Sequence, residues 1–315
     1  MVDLDDLLQK TSRTFALAIP LLPEPTRRAV SVAYLLFRIA DTFEDATDWP
    51  QAKRLEALRA FSEVLQRADA AEASKALLPS WRTPAPVAHA GYLELLDLTP
   101  GVLAVLDELP PALRAILVKH AVRTSDGMAS VVSRADARGS LRLTSLKDLT
   151  DYCYLVAGIV GELLTDVFLH DTPSLRAEAA ELERRMVAFG EGLQLVNILN
   201  DTNDDARDGR VYLPPDVTRA DVLALARRDL DDANRYVQAL QRGGAPAGYL
   251  GFTGLALMLA YASLERLERD GPGAKVSRAD VGTLFEALND ALASGAPLDL
   301  TASVTRTLPR LEARA

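Results

Sequence analysis

Four acidic side chains fall within eight positions of "RIADTFEDATDWP", residues 38–50: Asp41, Glu44, Asp45 and Asp48. A second cluster lies in "LQLVNILNDTNDDARDGRVYLP", residues 193–214. At about 100° per residue, a helix places Tyr34, Arg38, Asp41 and Asp45 on one narrow face. The same spacing gathers Gln194, Asn197, Asp201 and Asp205 on a face of the second segment, with Asp204 beside them. Both segments are otherwise strongly apolar, "AVSVAYLLF" in one and "LQLVNIL" in the other. A polar stripe on a helix that is apolar nearly all round must face a polar cavity or cost free energy. Oxygen donors without His or Cys favour a hard cation, and Mg²⁺ takes one or two carboxylates alongside water or phosphate oxygens. Two such clusters facing each other would hold several Mg²⁺ ions, which would in turn grip diphosphates. Without cations the carboxylates would repel one another, or some would be protonated. Either cluster alone also fits a solvated helix end, where Asp and Asn are common. The amides Gln194 and Asn197, leading into Asp201, are what favour an inward face.

The elements that must position these groups are helical. "RRAVSVAYLLFRIADTFEDA" carries apolar residues at helical spacing, behind the prolines and Thr26 of "PLLPEPT". Further helices are expected over 51–68 and 91–106, and from the proline pair at 110–111 onward. "TSLKDLTDYCYLVAGIVGELLTDVFL" reads as one long apolar helix entered through Thr144 or Ser145. "SLRAEAAELERRMVAFGEGLQLVNILNDTNDDARDG" reads as one or two helices ending near Gly209. "TRADVLALARRDLDDANRYVQALQRGG" stops at paired glycines, and two more helices follow it. Residues 69–90, with three prolines between 79 and 86, read as an irregular connection. No strand, short repeat or low-complexity tract stands out. The fold class is all-α: one domain over residues 1–315, with its core at about 8–295 and a polar C-terminal tail.

Composition narrows the function. Hydrophobic residues make up 49% of the 315 and aromatics only 6%, with Leu and Ala dominant, which favours helix over sheet. A net charge of −9 with interspersed signs argues against nucleic acid as a partner. A single cysteine, Cys153, excludes an intrachain disulfide and reads as a buried small hydrophobe. The acidic start "MVDLDDLLQK" lacks signal-peptide layout, and no uncharged apolar run reaches membrane-spanning length, so a cytoplasmic protein is expected. His89, His120 and His170 lack metal-ligand spacing.

"TSRTFALAIPLLP", "RIADTFED", "YCYLVAGIVGELLTDVF" and "GLQLVNILNDTNDDARDGRVYLP" occur in an order that resembles the squalene/phytoene synthases, with weaker likeness in "GFTGLALMLAYASLE". The resemblance implies an all-α isoprenoid-synthase domain with a central cavity flanked by two Asp-rich helices. Carried over by position, Asp41 and Asp45, then Asp201 and Asp205, are the Mg²⁺–diphosphate carboxylates, with Glu44 and Asp204 at accompanying acidic positions. Ser12, Arg13, Arg38 and Arg210 match diphosphate contacts. Tyr34, Tyr152, Gln194 and Asn197 match polar positions near the reacting carbons. Val156, Gly158 and Gly161 match a cavity wall that leaves room for a prenyl chain, and Phe252 its far pocket. Two departures stand out: Asn200 occupies a position that is usually arginine, and "RTSDGM" replaces a stretch that often has methionine ahead of "GM".

The implied reaction is a head-to-head prenyl transfer from two allylic diphosphates, farnesyl being the best match. It runs through presqualene diphosphate to squalene, with Mg²⁺ (or Mn²⁺) and with NADPH as hydride donor. A phytoene or dehydrosqualene synthase would lose a proton instead. No glycine fingerprint for a dinucleotide occurs. The substrates imply peripheral contact with membrane, without a spanning segment. Two readings from other classes remain: a type I terpene cyclase using one diphosphate, and a non-catalytic helical assembly protein.

Overall fold

In the computed structural model the described residues are 2–12, 14–136, 140–207 and 209–312, with the backbone alone described at 204 and 308–312. They form two compact units, residues 1–19 with 24–141, and residues 20–23 with 142–315. The all-α expectation holds.

The first unit contains α1 (Leu4–Thr11), α2 (Phe15–Ala18), α3 (Thr26–Glu44), α4 (Gln51–Leu65), α5 (Ala70–Lys75), α6 (Leu78–Arg82), α7 (Ala90–Asp97), α8 (Thr99–Asp107) and α9 (Pro111–Ser133). The helix α3 is buried nearly all round, through Val30, Val32, Leu35, Leu36, Ile39 and Phe43. From residue 29 to its C-cap, only Tyr34, Phe37, Arg38, Asp41 and Asp45 are not buried. Beneath its acidic end, the Phe43 ring lies 5.1 Å from Trp81, 6.2 Å from Phe61 and 6.2 Å from Trp49. Fully burying each such ring is worth roughly 1.5–3 kcal/mol, so the end of α3 stands on a firm base.

Residues 69–90 are not wholly irregular. They hold α5 and α6, and α6 accepts Pro79 because it lies in the first turn, where no helical partner is needed for the missing N–H. The stretch at 91–106 is likewise two helices, which meet at Leu98 just before Pro100.

The second unit contains the strand pair β1 (Leu141–Arg142, at its head) and β2 (Arg210–Val211), which the sequence did not reveal. Its helices are α10 (Leu146–Cys153), α11 (Ile159–Asp171), α12 (Ala179–Arg207), α13 (Arg219–Arg242), α14 (Ala247–Asp270), α15 (Arg278–Ala293) and α16 (Leu300–Glu312). The expected polar tail is thus largely α16, which buries Leu300 and Val304. Ser145 caps α10 by accepting from the Asp148 N–H at 3.1 Å, and Thr218 caps α13 in a reciprocal box with Asp221. A π-helical turn, Tyr154–Gly158, joins α10 to α11.

That widened turn brings α11 and α12 into backbone contact. A Cβ at Gly161 would lie 1.8 Å from the Met186 carbonyl oxygen, and one at Gly190 would lie 1.9 Å from that of Ala157. Gly158 is tight as well, at 2.9 Å from the Tyr154 ring. The expectation that Gly158 and Gly161 leave space for a prenyl chain is therefore corrected: the space is filled by the neighbouring helix and side chains. Phe252, expected in a far pocket, is 1% exposed within α14. Two stretches, Leu146–Asp171 and Ala247–Asp270, are long and apolar enough to cross a membrane, and 56% and 78% of their apolar windows are buried inside this chain.

Gly161→Ala should therefore destabilise the protein by about 3 kcal/mol, since backbone cannot yield cheaply to the new methyl. Gly282→Ala, on α15 with nothing within 4 Å of its Cβ, should instead stabilise by roughly 0.5–1 kcal/mol. Denaturant unfolding of both variants measures the contrast.

Candidate active site

In the first unit the predicted stripe is real. Tyr34 donates its hydroxyl to the Thr11 carbonyl at 2.7 Å, tying α3 to the end of α1. That end carries Ser12, whose Oγ accepts from the Phe15 N–H at 2.9 Å; Arg13 lies outside the described residues. Arg38 reaches Asp41 at 3.2 Å and donates to the Tyr34 hydroxyl at 3.3 Å. Its guanidinium lies 5.6 Å from the Tyr34 ring centroid and 5.1 Å from that of Tyr92. Burial works to lower the Arg38 pKa, but Asp41 and the two tyrosines outweigh it, so the side chain stays charged. Its Nε is buried without an acceptor among the described residues, which leaves one fixed donor for an anion.

Burial pushes the Asp41 carboxyl up to about 6, with Asp45 adding to the shift and Arg38 opposing it. Asp45 is the C-cap of α3, its N–H donating to the Asp41 carbonyl at 2.7 Å. Glu44 departs from the stripe: it is 6% exposed, and Arg54 of α4 donates to its carbonyl. Asp48 is exposed beyond the helix end.

The second unit is more open. Asp201 is exposed, Asp205 is partly buried, and the Asp204 side chain lies outside the described residues. Asn197 is exposed and Gln194 half-buried, so the amides are not the buried pair that the sequence pattern implied. Asn200 donates from Nδ2 to Asp201 Oδ1 at 2.9 Å, while its own Oδ1 is buried without a donor. Arg210 lies 3.6 Å from Asp205. A small pocket of about 50 Å³ is lined by Thr202, Asp205, Arg210 and Tyr212, among others. Beside it, Tyr152 donates its hydroxyl to Tyr212 at 3.0 Å, and the two rings stack with centroids 4.7 Å apart. Val156 is half-buried in the π turn.

Among the described residues no three carboxylate, imidazole or thiol groups converge on a metal position. Among the described residues neither helix builds an all-protein cage. Pairs of carboxylates one turn apart nonetheless suit Mg²⁺, which completes its octahedron with water and substrate oxygens. A half-buried carboxyl at Asp41 with a raised pKa and an orphaned acceptor at Asn200 are groups that a nearby cation, or its water, would satisfy.

Residues 8–223 match the squalene/phytoene synthase family. The squalene synthase of Eremothecium gossypii is 29% identical over 215 residues, covering 67% of this chain and 45% of that protein. That of Schizosaccharomyces pombe is 29% identical over 214 residues, covering 67% and 43%. The matched region is thus under half the length of these relatives. Among solved structures, TcSQS in complex with a ligand has a TM-score of 0.76 at 23% identity, covering 99% of this chain and 91% of that one, a similarity of fold.

Three groups near the stripes are missing from the sequence reading. Tyr92 comes from α7 and carries no local signal, whereas Tyr212 stands two residues after Arg210 and could have been found. The third is Glu191 of α12. Burial, then the Asp229 charge, push its carboxyl up to about 7, against Arg228. Asp229 is 5% exposed, and its Oδ2 has no partner among the described residues. An acid whose folded pKa is raised binds its proton more tightly when folded, so stability falls as pH rises from the unfolded value toward about 7. Glu191→Gln should raise the melting temperature at pH 8 and change it little at pH 5, as read by thermal unfolding at the two pH values.

Proposed function

Since the chain belongs to the squalene/phytoene synthase family, we propose that it joins two allylic prenyl diphosphates head to head. The best match is two farnesyl diphosphates converted through presqualene diphosphate to squalene, as the names of the relatives favour. Both units belong, in this proposal, to one synthase domain. The observation that carries it is the α3 stripe: a helix otherwise buried keeps Arg38, Asp41 and Asp45 on its one open face.

Asp41 and Asp45, with Asp201 and Asp205, would hold Mg²⁺, which would supply charge neutralisation at the oxygens of the departing diphosphate. The chain's own groups do the rest. Arg38, clamped by two tyrosine rings, offers its buried Nε to a phosphate oxygen, and Arg210 adds fixed positive charge beside Asp205. The allylic C–O bond breaks, diphosphate leaves, and the carbocation adds to the double bond of the second substrate; loss of a proton from the attacking carbon then closes the ring of a cyclopropyl diphosphate. That compound ionises in turn and rearranges. Tyr34 presents a π face that steadies positive charge, and Tyr152, its ring stacked on Tyr212, contributes through its hydroxyl. Quenching of the final cation by a hydride, which NADPH would supply, would give squalene; loss of a proton in its place would give the dehydrosqualene or phytoene type of product. Peripheral contact with membrane would deliver substrate and receive product.

Asp41→Asn or Asp201→Asn should cut turnover by about 100-fold or more while the helical fold survives, because each removes a metal ligand and no core packing. Pyrophosphate release with Mg²⁺ and farnesyl or geranylgeranyl diphosphate, followed by circular dichroism, tests this; near-normal turnover in both variants would sink the proposal. Mass spectrometry of products made with and without NADPH separates squalene from its unreduced analogues.

A further inference from the structure

The Tyr152 hydroxyl does not stand alone in the second unit. It is 4% exposed, and its proton is committed to the hydroxyl oxygen of Tyr212, itself 6% exposed, across 3.0 Å. The two rings are stacked within 26° of parallel, with centroids 4.7 Å apart. Two phenols packed this way fix each other's ring plane and hydroxyl direction, and a buried hydroxyl left without its partner would cost free energy.

Tyr212 is placed to do more than pack. It sits just beyond β2, two residues after Arg210, and lines the small pocket that Asp205 and Arg210 also line. The adjoining backbone is held in register: the Leu143 N–H donates to the Val211 carbonyl at 3.0 Å, three residues before the start of α10. One short extended segment therefore connects the charged pocket to the stacked ring.

Building on the synthase reading above, we propose that Tyr212 is a positioning residue. It orients the ring and hydroxyl of Tyr152 and ties them to the pocket bounded by Asp205 and Arg210, so that Tyr152 acts only as one half of a tyrosine pair. Tyr212 itself binds no substrate oxygen in this role. A diphosphate seated at Arg210 then sets, through Tyr212, where the Tyr152 hydroxyl points.

A double-mutant cycle on the full chain tests this, with farnesyl diphosphate and Mg²⁺ as probe. Tyr212→Phe keeps the ring stack and removes only the hydroxyl. Tyr152→Phe and Tyr212→Phe should each lower kcat by about tenfold with KM within about twofold, and the double variant should be no slower than Tyr152→Phe by more than about twofold. Equal losses from Tyr212→Phe in both backgrounds, or a kcat unchanged by it, overturn the proposal. So does a Tyr212→Phe chain that fails to fold, which would mark a structural role. Weakened inhibition by inorganic pyrophosphate with unchanged kcat would make Tyr212 a ligand contact and also overturn it. A wild-type chain inert toward every prenyl diphosphate removes the synthase reading and this proposal together, whereas an active wild type with additive variants removes this proposal alone.

Discussion

Burial of α3 on every side but one leaves Tyr34, Arg38, Asp41 and Asp45 nowhere to go except a single narrow face, and the charged stripe of the first unit follows from that confinement. The guanidinium of Arg38 cannot swing out to bulk water without losing Asp41 and two aromatic faces. Asp41 ionises at a higher pH than an ordinary carboxyl, because burial, with Asp45 adding to it, outweighs the help of Arg38. A cation with its attached anion, as the synthase proposal requires, would relieve both conditions. The aromatic base under Phe43 means that this electrostatic tension is held by packing that does not itself depend on the charges.

The second unit reaches a similar donor set by other means. Its stripe on α12 is open, with Asp201 exposed, and order comes from the segment that follows the helix. Arg210 sits near Asp205 and Tyr212 clasps Tyr152, so a two-residue strand does what whole-helix burial does for α3. Glu191 and Asp229 form a separate strained pair where α12 meets α13. A Cβ at Gly192 there would lie 3.3 Å from the Asp229 backbone carbon.

The stripe of α3 was legible because period and polarity agreed over four positions, and burial of the remaining positions is what periodicity reports. The same logic overreached on α12, where Asn197 follows the period yet is exposed: periodicity names a face and not what covers it. Gly158 and Gly161 were misread because a missing side chain looks the same in sequence whether the gap is filled by ligand or by a neighbouring helix. The Met186 carbonyl, 25 positions further along, decides for Gly161, and the Tyr154 ring with Val187 for Gly158. Tyr92 was invisible for a related reason, since its partner Arg38 is remote in sequence. The helices α5 and α6 hid behind prolines that read as breakers but stand, in α6, at a first turn that tolerates them.

The π turn at Tyr154–Gly158 has a geometric consequence of its own. A wider turn advances each residue through a smaller angle, so it acts as a phase shift between the two ends of an otherwise continuous rod. Upstream, the rotation presents Tyr152 to Tyr212; downstream, it presents Gly161 to the backbone of α12. One rod thereby meets two partners, the Tyr212 ring before the shift and the α12 backbone after it, which an unbroken α-helical phase between the same residues would not align.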